Sequence, residues 1–509
     1  MQYRNPIIPG FYPDPSVCRV GEDYYLVNSS FEFFPGVPLY HSKDLVSWEQ
    51  LGHVLSRESQ IHLKGTRTSG GVYAPTIRYH NGRFYMITTN VNFNPANPEN
   101  GGLGNFIVHT DDIRGEWSDP VRVSHMGIDP SLFWDDDGRC YLQGPTFGPD
   151  GRQFIGQYEI DPDTGETLSE TRPIWNGTGG KCPEGPHMYK IHGTYYLMIA
   201  EGGTEWGHME TIARADNVWG PFESCPHNPI VTHRHYSPSF TPEGASATEF
   251  GCVGHADLVD DPQGNWFLVL HGVRPSQSQL HHIGRETLLA PVTWEEGWPV
   301  VNGGDFLSET MTAPGELSAP QPDWFFTEDF TAEPALPPRW AFLRGPLQAP
   351  SGLTSEGLRL AATPDDLNAL GSPAFAGVRQ RHLSMTAQTV LAAVPETGEA
   401  GFTVFHTAEH HYDLLLTRQA GAPVAILRKT VGDMTTETAP VPVADGPVTL
   451  TVSADPKLYR FAVNGQPVGE GRSQLLSTEA MAGTFTGVLL GVVAQRGGEA
   501  LFRSFSYQP

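Results

Sequence analysis

The sequence predicts an all-β protein, an array of hairpins followed by a β-sandwich, and three observations carry that prediction. Glycine and proline are abundant, with 56 and 44 residues among 509, as expected of a chain that turns often. No long amphipathic helical pattern runs through it. One hairpin pattern recurs at Asp14-Pro-Ser, Ala74-Pro-Thr, Asp129-Pro-Ser, Glu184-Gly-Pro and His255-Ala-Asp. Each copy reads as an apolar stretch, a polar turn at Gly21, Gly82, Gly138, Gly193 or Gly264, and an aromatic-rich strand.

Hairpins recurring at roughly 50–70 residues indicate propeller blades or an array. In a propeller, equivalent points of the blades face one central axis. Asp14, Asp129, Glu184 and His255 are then expected to converge, while Ala74 brings no functional group. This region runs over residues 1–307. Residues 308–323 are Pro-rich without apolar periodicity and read as a linker. Residues 324–509 lack cysteine and carry short alternating segments, among them Ala400-Gly-Phe-Thr-Val-Phe-His, Tyr412-Asp-Leu-Leu-Leu and Val448-Thr-Leu-Thr-Val-Ser. Asn464-Gly465 is a hairpin signal. Such a pattern predicts a β-sandwich, often lectin-like, although fold alone does not establish sugar binding.

Bulk properties narrow the function. A chain of this length exceeds a single core. A net charge of −25 disfavours nucleic acid and anionic membrane surfaces and is compatible with a neutral sugar. No stretch reaches transmembrane length, and the opening Met-Gln-Tyr-Arg-Asn-Pro has no apolar signal region. Cys18, Cys140, Cys182, Cys225 and Cys252 are an odd set without CxxC spacing, read as reduced thiols of a cytoplasmic protein. The oligomeric state is open, a homo-oligomer included.

Asp-Pro-Ser by itself is an ordinary turn, because Asp and Ser bond back to the main chain and Pro presets φ. Asp14 and Asp129 alone permit that reading. Glu184 does not, since its copy keeps the acid but replaces Asp-Pro with Glu-Gly and changes its reach. Paired carboxylates suit glycoside hydrolysis, one protonating the leaving oxygen and the other activating water or attacking the sugar carbon. A third acid nearby can raise the pKa of the proton donor by repulsion. His187 and His192 form no His-Glu-x-x-His motif, and Asp135-Asp-Asp137 reads as a solvated turn. Phe31, Phe33 and Phe34 form an aromatic group able to stack on a sugar, and Tyr73 stands beside the empty Ala74 position. Taken singly, His255 reads as a core imidazole and Arg285 as a surface ion-pair partner; position in the repeat lifts His255 above that.

Asn5-Pro-Ile-Ile-Pro-Gly-Phe-Tyr-Pro-Asp14-Pro-Ser, Ser30-Phe-Glu-Phe-Phe-Pro-Gly-Val-Pro, Gly127-Ile-Asp129-Pro-Ser-Leu-Phe and Glu184-Gly-Pro-His together resemble glycoside hydrolase family 43, in its two-domain β-xylosidase and α-L-arabinofuranosidase branch. The resemblance covers nearly the whole chain. It implies a five-bladed propeller, a C-terminal sandwich and an inverting mechanism. It implies Asp14 as general base, Glu184 as general acid and Asp129 as the residue that tunes and orients Glu184. It also implies that Phe31, Tyr73, His255 and Arg285 line the sugar pocket, and that Phe485, in Gly483-Thr-Phe485-Thr-Gly487, closes it from the sandwich. Relatives often carry Trp in place of Tyr73, and Asp in place of Arg503, where the Asp helps to hold a calcium in the sandwich. The chemistry requires no cofactor; the resemblance allows a hydrated structural Ca2+ on the propeller axis beside His255.

The expected function is exo-acting release of terminal β-D-xylose or α-L-arabinofuranose from small oligosaccharides. An endo-arabinanase, which needs an open groove, is disfavoured by the second domain. A non-catalytic carbohydrate-binding protein is disfavoured by retention of three acids.

Overall fold

The computed structural model describes residues 1–92, 104–125, 127–148, 151–234, 249–276, 279–481 and 484–509. Each repeated hairpin opens a blade. The first blade runs Ser16–Val20, Asp23–Val27, Gly36–Ser42 and Glu49–Leu55, all antiparallel. The second runs Thr76–His80, Arg83–Val91, Gly104–Thr110 and Val121–Val123, with Gly71–Val72 also on Arg83–Val91. Ser131–Trp134, Cys140–Phe147, Gln153–Ile160 and Arg172–Trp175 make the third. The fourth is built on Glu184–Ile191, Thr194–Glu201 and Met209–Ala215, and the fifth on Gly251–Asp260, Trp266–Val273, Glu286–Glu295 and Trp298–Val301. The turn glycines Gly21, Gly82, Gly138, Gly193 and Gly264 all adopt positive φ, which tight hairpins require.

The first strands of the five blades pack against one another in a closed ring, which confirms the five-bladed propeller. One polar hub ties them at the axis. Asp257 of the fifth blade accepts from Ser16 Oγ (2.7 Å), Arg78 Nη1 (2.8 Å) and Tyr189 Oη (2.6 Å). His187 Nδ1 meets Arg78 Nη2 (2.8 Å) and Ser131 Oγ (3.1 Å). Every blade thus contributes at least one group, the fourth contributing both His187 and Tyr189, to a network whose members satisfy one another, as burial of charge demands.

The ring is closed by the chain start. Gln2–Arg4 pairs with Thr310–Thr312, and Asn5 exchanges side-chain hydrogen bonds with Leu289 of the fifth blade. Residues 308–323, read as a linker, therefore lie strapped to the propeller: the Met1 amino group donates to Ala313 O, and Gln321 bonds both ways with Arg4.

The sandwich comprises two sheets around a core that includes Trp340, Phe402, Tyr412, Phe461 and Phe505. Asn464 and Gly465 turn the hairpin Leu458–Val463 to Gln466–Arg472 with φ of 48° and 79°. Arg503 Nη1 donates to Glu356 O (2.6 Å). One sheet is completed from outside: Phe33–Phe34 of the propeller pairs with Trp340–Leu343. Around that seam, Phe11, Phe31 and Phe33 are buried against Leu343, Phe375, Phe405 and Leu489 of the sandwich. An apolar seam of this kind resembles a domain core cut in two, not a tethered module.

Candidate active site

Three repeat points share an unusual backbone. Asp14, Asp129 and His255 have φ of 52°, 51° and 50°, in the left-handed region, which costs about 1–3 kcal/mol for a residue with a side chain. In the fourth blade the bend falls on Gly185, at φ 54°. A Cβ there would lie 2.8 Å from His255 Nε2, so glycine is needed to bring Glu184 up to the imidazole. The repeat therefore delivers its four functional groups to one buried spot. Ligating atoms of Asp129, Glu184 and His255 lie within 4.8 Å of one another, and His255 Nδ1 lies 3.7 Å from Asp14 Oδ1.

Asp14 is gripped on both oxygens. Oδ1 accepts from Arg285 Nη1 (2.6 Å) and Oδ2 from Ser29 Oγ (2.6 Å). Its backbone N–H donates to His271 Nδ1 (3.1 Å). Burial favours the neutral acid, but the Arg285 guanidinium together with His255 and His271 outweighs it, and Asp14 is held well below the usual carboxylate range. Burial, reinforced by the charge of Asp14, pushes Glu184 the other way, up to about 7. Asp129 is raised well above its ordinary value by burial, then by Glu184 and Asp14; a hydrogen bond that it accepts from Ala74 N–H is long at 3.3 Å. Ala74, the blade point without a functional group, thus supplies its backbone. Asp129 and Glu184 are thus both raised, while Asp14 is lowered.

An aromatic wall faces these acids. The Phe31 ring centroid lies 5.1 Å from Tyr73 and 6.1 Å from Phe485, and Tyr73 lies 6.2 Å from Phe485. Arg285 links wall and acids, since its Nη2 donates to Phe485 O (3.3 Å) and its guanidinium lies 5.7 Å from the Phe31 centroid. Phe485 arrives from the sandwich on a loop seated directly on the propeller: Thr478 N–H donates to His281 O and Val488 N–H to His282 O. A Cβ on Gly487 would lie 1.9 Å from Ile283 O, so only glycine permits this approach. Gly483, the other glycine of the turn motif, is outside the described residues.

All eight residues singled out in the sequence are therefore neighbours. Arg285 is not the surface ion-pair partner that the residue alone indicates; it is 6% exposed and bound to Asp14. Ser29, His271 and Thr204, whose Oγ1 accepts from Arg285 Nη1 (3.0 Å), escaped sequence reasoning. His271 left a signal, a single imidazole inside the otherwise apolar strand Trp266–Val273. Ser29 and Thr204 left none.

Among the described residues, Asp129, Glu184 and His255 form a cluster whose atoms could meet at one cation. Calcium takes a full shell of oxygen ligands from ionised or neutral donors. Here the three residues offer one imidazole nitrogen and two carboxylates, fewer oxygens than calcium's shell requires, so a Ca2+ beside His255 would take most of its ligands from water.

Known proteins agree with this geometry. The family profile of glycosyl hydrolases family 43 matches residues 3–299, and that of the beta xylosidase C-terminal concanavalin A-like domain matches residues 327–508. A non-reducing end alpha-L-arabinofuranosidase of Bacteroides ovatus is 40% identical, over 98% of this chain and 92% of its own length. A xylosidase/arabinosidase of Butyrivibrio fibrisolvens is 41% identical, over 82% of this chain and 80% of its own. The crystal structure of a xylan beta-1,4-xylosidase from Bacillus halodurans superposes with a TM-score of 0.89 at 32% identity, both chains being covered completely. A match spanning the propeller, a second spanning the sandwich and an acid cluster at their junction lead to one conclusion: this protein is a glycoside hydrolase of family 43.

Proposed function

We propose that the enzyme removes a terminal β-D-xylosyl or α-L-arabinofuranosyl unit from short oligosaccharides by one displacement with inversion. What supports this reading is the split of two acids in one buried pocket: Arg285 and Ser29 grip Asp14, whose pKa is lowered, while burial raises Glu184 to about 7. Asp14 takes a proton from water, whose oxygen bonds to the anomeric carbon. The bond from that carbon to the leaving oxygen breaks, and the leaving oxygen takes the Glu184 proton. One acid gains a proton as the other loses one, so the charge of the desolvated pocket stays constant through the step. Turnover is completed when solvent removes the Asp14 proton and returns one to Glu184. No step runs through a metal.

The test is proton NMR of the first product from xylobiose and from an aryl α-L-arabinofuranoside. The inverted anomer is expected first; initial release of the retained anomer sinks the single-displacement reading. Absence of hydrolysis on both would remove the xylosyl and arabinofuranosyl reading.

Asp129 is assigned to tuning and orienting Glu184. Asp129→Asn removes the repulsion that keeps a proton on the pair, so the last proton leaves at lower pH. The alkaline limb of the pH–rate profile is expected to move down, and that limb reports the coupled set of acids. An unshifted limb with lost activity would leave orientation as its only role.

Phe485 is assigned to closing the pocket, which supports exo action over an endo-arabinanase's open groove. Burying a phenyl ring contributes about 1.5–3 kcal/mol, and even the lower figure predicts roughly tenfold loss of kcat/KM for Phe485→Ala. An unchanged melting transition must accompany the loss. Full kcat/KM on xylobiose and on the aryl arabinoside would remove Phe485 from the site.

The free thiols of Cys18, Cys140, Cys182, Cys225 and Cys252 support placing the enzyme in the cytoplasm.

A further inference from the structure

Phe485 is held by its backbone, and the propeller supplies both clamps. Its carbonyl accepts from Arg285, and its N–H donates to Ser69 Oγ (2.9 Å). No role assigned above uses Ser69. It is 1% exposed and sits at φ 57°, a left-handed conformation that a side chain does not adopt freely. Every polar group it owns is engaged. Its N–H donates to Glu32 Oε2 (3.1 Å), its carbonyl accepts from Tyr73 Oη (3.0 Å), and its hydroxyl oxygen receives Phe485. One serine therefore ties the Phe31–Glu32 turn, the Tyr73 wall and the sandwich lid.

The tie is braced from the sandwich side. Arg344 N–H donates to Glu32 O (2.9 Å), and Arg344 Nε donates to Thr66 O (2.6 Å), three residues before Ser69. Glu32 and Arg344 are both buried. The loop from Thr66 to Tyr73 is thus gripped at its start by the sandwich and at its end by the second blade, and the Ser69 hydroxyl is where it meets Phe485.

We infer that Ser69 is a positioning residue that sets the gap between Phe485 and Tyr73, and so the discrimination between six-membered xylosyl and five-membered arabinofuranosyl rings. This rests on the reading of Phe485 as the pocket's closing wall. The two sugars differ in ring size and pucker while presenting similar hydroxyls, so the spacing of aromatic walls is where they can be told apart. The N–H and carbonyl contacts of Ser69 are open to any residue. The hydroxyl contact is not, and it is the one that reaches the lid.

The experiment compares Ser69→Ala and Ser69→Gly, each alone and combined with Phe485→Ala, on 4-nitrophenyl β-D-xylopyranoside and 4-nitrophenyl α-L-arabinofuranoside. Glycine accepts φ 57° without strain, so Ser69→Gly removes the hydroxyl while keeping the bend, and it keeps the test intact where Ser69→Ala folds poorly. Each single variant is expected to lower kcat/KM by about fivefold, mostly through KM, and to change the ratio of the two substrates by about threefold or more. In the Phe485→Ala background, Ser69→Gly is expected to add less than about twofold, because the contact it removes is already without purpose. Fully additive losses, or a lowered melting temperature with an unchanged substrate ratio, overturn the inference while leaving the lid in place. A Phe485→Ala variant with normal kcat/KM overturns the lid and the inference together, and hydrolysis by the parent enzyme still supports the glycosidase reading.

Discussion

Asp14→Asn is expected to lower kcat by at least about 10²-fold, the usual contribution of a positioned general base. The substitution keeps the side chain's shape, and an amide oxygen can still accept from Arg285 or Ser29. What it removes is the negative charge and the ability to take a proton. Because Arg285 holds Asp14 ionised, the wild-type rate should stay flat on the acid side until pH falls to the depressed pKa of this carboxyl. The variant should lose that acid limb together with its rate. Kinetics on xylobiose, with folding checked by the melting transition, decide the matter; near-normal turnover removes Asp14 from the mechanism.

Glu184→Ala should separate substrates by their leaving groups. A xylosyl leaving group needs its oxygen protonated as the bond breaks, whereas a nitrophenolate departs without help. The loss on xylobiose is expected to reach about 10²–10⁴-fold and to be much smaller on 4-nitrophenyl β-D-xylopyranoside. The pH dependence adds an independent check. With Glu184 pushed up to about 7, the wild-type rate should fall above about that pH as the proton donor is lost, and the variant should show no such fall. Added azide should yield no glycosyl azide of retained configuration. Equal losses on both substrates would show that Glu184 holds the pocket together without donating a proton.

Much of this molecule is legible in the chain because its blades are repeats. A hairpin has a local signature, and a signature repeated at Asp14, Ala74, Asp129, Glu184 and His255 shows which residues occupy equivalent points before any geometry is known. The asymmetry of those points identified the acids. The glycine after Glu184, noticed as a departure from Asp-Pro, has its reason in a distance: it makes room for His255. His271 was visible in principle, because a single imidazole in an apolar strand needs a partner.

Other features have no local signature. That Phe33–Phe34 completes a sheet of the sandwich depends on Trp340–Leu343, some three hundred residues later, and a two-residue strand carries no periodicity to read. That residues 308–323 are strapped down depends on the first residues of the chain, although their composition alone is that of a loose tether. Arg285 looked like a surface charge because composition cannot report burial.

The sequence by itself indicated the class of fold and the three candidate acids, because these rest on short patterns repeated along the chain, and it indicated the family through the resemblance of the motifs around them. Tertiary structure decided what each acid does with its proton. Asp14 and Asp129 occupy the same repeat point with the same left-handed bend, yet one is held ionised and the other is raised. The difference lies chiefly in a guanidinium at 2.6 Å, brought to Asp14 from 271 residues away and aided by His255 and His271, while Asp129 receives a long backbone hydrogen bond beside a second acid. Electrostatic energy depends on separation in space and on burial, and neither is written in the order of the residues.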